Sequence, residues 1–161
     1  MAVATRIEEL RAEIGELANM AVDADELMRA MVKILHDRML RYNWVGFYML
    51  EPGAQPPVLV LGAFEGAMTP HTRIPLNQGI CGAAASSGQT VVVDDVTRDP
   101  RYLACSLETK SEIVVPVFVH GQVVGELDID SHFPAAFTAE HQELVQYCAI
   151  LVGKKLEASG R

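Results

Sequence analysis

The sequence predicts an α+β fold: a central antiparallel sheet flanked by helices at the two ends of the chain. Three observations carry that prediction. Apolar residues recur at three- and four-residue spacing only near the termini. Strand-like runs fill the middle and follow one another through short turns, as hairpins do. The strands are mostly hairpin-connected, without a repeated strand–helix–strand alternation, and neither a GxGxxG nor a Walker loop is present, so neither a parallel sheet nor a nucleotide cofactor is expected.

The elements follow in order. Ile7, Leu10, Ile14, Leu17 and Ala21 mark a first amphipathic helix. Asp23 or Asp25 is placed to cap a second, whose buried stripe is Leu27, Met31, Ile34 and Leu35, running towards Met39. Asn43 to Leu50 turns strand-like and aromatic, Pro52-Gly53 and Pro56-Pro57 mark a loop, and Val58 to Phe64 reads as the strand that pairs back. A loop with a short strand near Arg73 and Ile74 leads to a small-residue helix, Gly79 to Ser87, ended by Gly88 in a left-handed cap. Thr90 to Val93 is a short strand, and Asp94 to Lys110 a long polar connection with room for one helical turn. Ile113 to Phe118 and Gln122 to Asp130 form a hairpin, and Thr138 starts a last helix with Leu144, Tyr147, Cys148, Leu151 and Leu156 inward.

The chain of 161 residues, half of them apolar, suits one domain over residues 1–161. A net charge of −8 argues against a nucleic-acid partner, which calls for a basic face. No apolar run is long enough to span a bilayer, and Met1 to Leu10 is too charged for a secretory signal. Three cysteines, Cys81, Cys105 and Cys148, fit neither a disulfide framework nor zinc spacing. Reduced thiols and a cytoplasmic location are expected.

The informative stretch is SEIVVPVFVHGQVVGELDIDS, residues 111–131. Alternation puts Val123, Gly125, Leu127 and Ile129 on one face and Val124, Glu126, Asp128 and Asp130 on the other. A three-residue turn Val119-His120-Gly121 pairs Glu112 with Asp128 and adds it to the acidic face; a two-residue turn sends it to the opposite face. A solvated sheet face also reads this way. Against that, like charges side by side destabilise a sheet and Asp is a poor strand former. The cluster makes more sense facing a cation, and a substrate ammonium suits a strand better than a metal does, since calcium sites use loops. No metal is expected, and His132 reads as surface or core.

NWVGFY (43–48), GICGAAASSGQT (79–90), Asp95-Val96, Tyr102 to Cys105, KSEIVVPVF (110–118) and GELDIDS (125–131), in this order and spacing, closely resemble the free methionine-(R)-sulfoxide reductases, which are stand-alone GAF domains. The resemblance runs from about Asn43 to Ser131. It implies that Cys105 is the catalytic thiol and that Cys81 matches a second family cysteine. It also implies that Glu112, Asp128 and Asp130 line the substrate pocket, with Trp44 against the substrate's methyl end and Tyr48 on the same strand face. One family cysteine, ten residues before Cys81, is His71 here; it is the one that usually resolves the oxidised enzyme. The implied reaction reduces free methionine-(R)-sulfoxide through a cysteine sulfenic acid and a disulfide, with a thioredoxin-like reductant and a homodimeric assembly. A rival from another class is a non-catalytic GAF sensor of an amino-acid-like ligand. No output domain follows in this sequence, which favours the enzyme. A partner-binding domain with a merely solvated acidic face ranks last, because it leaves the match at Cys105 unexplained.

Overall fold

The computed structural model describes residues 2–103 and 107–160, with side chains from residue 6 onward. Helices α1 (Ala2–Met20) and α2 (Ala24–Arg38) open the chain. Asp23 caps α2, its side chain accepting from the Glu26 N–H at 2.9 Å, while Glu26 reaches back to the Val22 N–H at 2.7 Å. Strands β1 (Trp44–Leu50), β2 (Val58–Glu65) and β3 (Arg73–Pro75) follow, then α3 (Gly79–Ser87), β4 (Val91–Val93), a 3-10 turn at Val96–Arg98, β5 (Ser111–Val119), β6 (Gln122–Ser131) and α4 (Ala139–Ala158). Gly88 ends α3 at φ 68°, the left-handed cap expected of it. Thr138 precedes α4 without a side-chain capping bond. No described helix is long and apolar enough to cross a membrane.

The six strands form one antiparallel sheet in the order β3-β2-β1-β6-β5-β4. Period-2 alternation gives it two unlike faces. Val45 and Phe47 of β1, Ile113, Val115 and Val117 of β5, and Leu127 and Ile129 of β6 pack with α1, α2 and α4 into the main core. The α1 stripe is Ile7, Leu10, Ile14 and Ala18, with the expected Leu17 and Ala21 only half-buried beside it. On α4, Leu144, Val145, Cys148, Ala149, Val152, Gly153 and Leu156 are buried, and the expected Tyr147 and Leu151 sit at the margin.

The opposite face carries Trp44, Tyr48, Leu59, Ile74, Val93 and Val114 and is covered by α3. Small residues let α3 approach closely: a Cβ on Gly82 would lie 2.8 Å from the Leu76 carbonyl oxygen and 3.0 Å from that of Pro75.

The β5–β6 hairpin corrects the expected turn. It closes through two residues, His120 (φ 50°) and Gly121 (φ 78°), so Val119 faces Gln122 and Phe118 faces Val123. A one-residue bulge then falls between Val117 and Phe118, and Val117 faces Gly125. The bulge restores the parity that the short turn loses. Glu112 therefore stays on the face of Asp128 and Asp130, but opposite Asp130 rather than Asp128.

Candidate active site

Five acidic or thiol side chains converge beneath α3. Strand β6 supplies Glu126, Asp128 and Asp130, β5 supplies Glu112, and the first turn of α3 supplies Cys81. Strand β1 runs on the other side of β6 and sets Trp44 opposite Asp130, Gly46 opposite Asp128 and Tyr48 opposite Glu126. Gly46 is required there, since a Cβ would run into the Trp44 ring, which lies over it. Trp44 stacks against Tyr48 and Phe64, with centroids 6.1 and 5.8 Å apart, as an aromatic wall.

Both aromatics also hold the loop between β2 and β3. Trp44 Nε1 donates to the Ala67 carbonyl at 3.0 Å, and the Tyr48 hydroxyl donates to the His71 carbonyl at 2.7 Å. The His71 N–H in turn donates to Thr69 Oγ1 at 3.1 Å. His71 thus stands over the acidic face. A small cavity of about 20 Å³ lies there, lined by Tyr48, His71, Cys81, Leu103, Glu112 and Asp128 among others. Asp130 and Trp44 stand two register positions beyond Asp128 and Gly46, on the same face, beside this cavity rather than on its lining. Leu103 packs on Gly79, where a Cβ would lie 2.9 Å from its Cδ1. Cys105 lies outside the described residues.

The electrostatics are unusual for a sheet face. Glu112, Asp128 and Asp130 are at most 5% exposed and Glu126 is wholly buried. Among the described residues no Lys or Arg lines the cavity. Burial, then the charges of Asp128 and Asp130, push Glu112 well above the ordinary carboxylate range. Asp128 is raised by burial but held back by hydrogen bonds from Glu112 and Cys81; the Cys81 sulfur donates to Asp128 Oδ2 at 3.3 Å. Asp130 is raised by burial and by the charge of Asp128, against a hydrogen bond from Glu112. One reading satisfies all three: Glu112 carries a proton between two aspartates, and Asp128 holds most of the negative charge. Asp128 Oδ1 and Asp130 Oδ1 are left buried without a partner. Orphaned carboxylate oxygens of this kind call for a donor from outside the protein.

Cys81 sits in the first turn of α3, where the helix dipole favours a thiolate by about 0.3–1 kcal/mol. The dipole loses here. Burial, then the charges of Asp128, Glu126 and Glu112, push the thiol well above its ordinary range. The sulfur and one oxygen each of Glu112 and Asp128 lie within 4.8 Å of one another. Sequence reasoning placed Glu126 on the acidic face but gave it no role, and it missed the Ile74 and Leu103 walls. Alternation marked the first; nothing local marks the other two.

The GAF domain family model matches residues 23–156. A free methionine-R-sulfoxide reductase of Escherichia coli is 39% identical over 110 residues, 68% of this chain and 64% of that protein. One of Saccharomyces cerevisiae is 38% identical over 113 residues, 70% of this chain and 62% of that protein. The match thus spans slightly less than two thirds of the length of these curated relatives. Among solved structures, a free methionine-R-sulfoxide reductase from Neisseria meningitidis in complex with its substrate superposes with a TM-score of 0.89 at 35% identity, covering 97% of this chain and 91% of that one.

Proposed function

We propose a function from one premise: the chain belongs to the GAF domain family and, within it, to the free methionine-R-sulfoxide reductases. It reduces free L-methionine-(R)-sulfoxide to methionine. The observation that carries this reading is the group of buried carboxyls around one thiol, with orphaned oxygens and no lysine or arginine on the cavity lining. A free amino acid brings the ammonium that such a floor lacks. A methionine residue within a peptide chain has an amide there instead, and an amide cannot neutralise Asp128 and Asp130. Specificity for the free amino acid follows from that difference in charge.

The residues divide the work as follows. Asp128 and Asp130 receive the ammonium. Trp44 and Tyr48 give the thioether end an apolar, polarisable wall. Cys105 attacks the sulfoxide sulfur, and Glu112, which lines the cavity and is raised by burial and by the charges of Asp128 and Asp130, supplies the proton to the sulfoxide oxygen. The protonated oxygen passes from the substrate sulfur to the Cys105 sulfur as methionine leaves, so the substrate's S–O bond breaks, its sulfur is reduced, and Cys105 is oxidised to a sulfenic acid. The Cys81 thiol then condenses with it: an S–S bond forms, the S–O bond breaks, and the hydroxyl departs as water with the thiol proton. Asp128, which accepts from Cys81, is placed to pass that proton on. An external dithiol of the thioredoxin kind reduces the disulfide.

Two features support the pairing of Cys81 with Cys105. Leu103 rests on Gly79, two residues before Cys81. Cys105 follows Leu103 by two residues, about 7 Å of chain at full extension. A cavity of about 20 Å³ holds roughly one water. The loop carrying His71 and the segment carrying Leu103 must therefore move aside for substrate. The whole reading belongs to one domain over residues 1–161, and homodimeric assembly enters by likeness to the family.

The test is incubation with free methionine-(R)-sulfoxide and dithiothreitol, then with a thioredoxin system. Wild type should form methionine with both reductants. Cys81→Ser should keep dithiothreitol-driven turnover and lose most cycling with thioredoxin. Ligand binding without methionine formation under either reductant would make the protein a sensor and end the reductase reading.

A further inference from the structure

The substrate ammonium meets Asp128 only once the cavity has opened. In the resting protein the cavity of about 20 Å³ holds roughly one water, a size that suits a single ion. The groups on its lining decide which ion. The Cys81 sulfur and one oxygen each of Glu112 and Asp128 lie within 4.8 Å of one another, brought together from α3, β5 and β6. All three residues are at most 5% exposed. The sulfur is already 3.3 Å from Asp128 Oδ2, and Asp128 Oδ1 is buried without a partner. A tetrahedral zinc ion, with bonds of about 2.3 Å to sulfur and about 2.1 Å to oxygen, holds such atoms about 3.4–3.6 Å apart, so side-chain adjustments of about 1 Å complete the set. The cavity leaves room for a water as fourth ligand. Calcium and magnesium do not suit the site, since both want six or more oxygen ligands and neither seeks sulfur.

We propose that Cys81, Glu112 and Asp128 form a binding site for Zn²⁺ in the resting, reduced protein. The donors select the ion: one sulfur with two carboxylate oxygens, at a low coordination number, is the set a borderline-soft ion without geometric preference accepts. Binding exchanges protons for the metal. The Cys81 S–H and Glu112 O–H bonds break, both protons pass to solvent, and one Zn–S and two Zn–O bonds form, with no change of oxidation state. Without the ion, burial and the nearby carboxyl charges keep Cys81 a thiol. A dication reverses that balance, because it cancels two of the three charges on one thiolate and two carboxylates. The ion has no part in the proposed reaction and blocks it twice. It occupies the Asp128 oxygens that receive the ammonium, and it ties up the Cys81 sulfur. Only this competition with substrate rests on the reductase reading; the site itself does not.

The experiment uses the full-length protein, stripped of metal and kept reduced by a phosphine, with Co²⁺ as the probe because cobalt enters four-coordinate zinc sites and absorbs there. One equivalent should give the visible bands of a tetrahedral site and a near-ultraviolet thiolate-to-cobalt charge-transfer band, and Zn²⁺ should bleach both. Cys81→Ser should abolish the charge-transfer band, while Cys105→Ser and Cys148→Ala should keep it. Asp128→Asn and Glu112→Gln should each weaken Co²⁺ binding by about a hundredfold or more, since loss of an outer partner alone costs about 10–100-fold. Zinc-edge X-ray absorption of wild type needs no variant and should show a single sulfur among light-atom neighbours. No charge-transfer band in wild type, a band that survives Cys81→Ser or vanishes in Cys105→Ser, or a zinc shell with no sulfur or several overturns the proposal. In Cys105→Ser, which cannot turn substrate over, free methionine-(R)-sulfoxide should raise the apparent Kd for Co²⁺ in proportion to its concentration. Metal binding that ignores the sulfoxide would refute the ammonium's place on Asp128 and leave the metal site standing. Sulfoxide reduction by a protein that binds no metal would end this proposal and leave the reductase reading intact.

Discussion

The two faces of the sheet share their central strands β1, β6 and β5 and differ there by a single residue step. On β6, Leu127 and Ile129 point into a core closed by three helices, while Glu126, Asp128 and Asp130 point under the one short helix α3. Both sets are buried to a similar degree. The helix face is apolar throughout and contributes transfer free energy at about 25 cal/mol per Å² removed from water. The α3 face buries four carboxyls and a thiol, groups that cost free energy unless partnered. Burial on one face serves stability. On the other, in the function proposed, it serves a ligand and is maintained by the stability of the first.

The largest expected effect separates adjacent residues. Leu127→Ala should cost about 2–5 kcal/mol in urea unfolding, because a fully buried leucine leaves a cavity, yet leave kcat/KM of the folded fraction nearly unchanged. Asp128→Asn should do the reverse. It should lower kcat/KM on free methionine-(R)-sulfoxide by about a hundredfold or more, the loss of one buried charged partner. Stability should hold or rise, since a buried charge is removed and its repulsion with Asp130 is relieved. A strongly destabilised but fully active Asp128→Asn would erase the distinction between the faces.

A smaller effect lies in pH. Glu112, Glu126 and Asp130 have folded-state values well above ordinary, with burial the first cause in each. The folded chain therefore binds more protons than the unfolded chain above about pH 4. Their stabilising contribution is full below that value and is lost as pH rises through the folded-state values. Exposed Glu51 and Asp95 are lowered, which gives the opposite slope only below this window, and His141, lowered first by burial, opposes the trend below about pH 6.5 as one group against three. The urea midpoint of the ligand-free protein should thus rise as pH is lowered from 8 towards 5. Glu112→Gln should flatten the slope and Leu127→Ala should not. A midpoint that falls over this range in wild type would mean that the α3-face carboxyls are ionised at rest.

The alternation that creates the two faces was legible because period 2 is a local property, visible in GELDIDS without any partner strand. The register was not. Two-residue closure at His120-Gly121 and the bulge at Val117/Phe118 compensate each other, so the expected face was right through a wrong turn and a wrong partner for Glu112. The bulge sits under a tertiary contact: a Cβ on Gly153 of α4 would run into the Phe118 carbonyl oxygen, so α4 lies directly against the bulged strand. That contact joins residues 35 positions apart, and no turn rule contains it. Of the candidate site, its acidic residues came from alternation, whereas Cys81, Trp44 and Tyr48 came from resemblance. The walls at Ile74 and Leu103 belong to loops whose placement depends on Trp44 and Tyr48 holding the Ala67 and His71 carbonyls.

The smallest expected effect compares two buried thiols, one on each side of the sheet. Cys148 is wholly buried in the helix core, beside Tyr42, and burial pushes its thiol up to about 12. Cys81 is 5% exposed, lines the cavity and is raised by burial together with three carboxyls. Both are therefore thiols at neutral pH, so protonation alone does not tell them apart. Position does. Cys81 can reach a partner across the cavity, whereas Cys148 faces apolar side chains of β5, α1 and α4 with the whole sheet between it and α3. Cys148→Ala removes one buried heavy atom and should cost about 1 kcal/mol in urea unfolding. It should leave turnover with both dithiothreitol and thioredoxin at the wild-type rate, whereas Cys81→Ser loses thioredoxin cycling. In native wild type, peptide mass spectrometry after brief iodoacetamide exposure at pH 8 should find Cys148 unmodified. A Cys148→Ala variant that failed to cycle with thioredoxin would place a resolving thiol in the apolar core, and the division of labour between the two faces would fail with it.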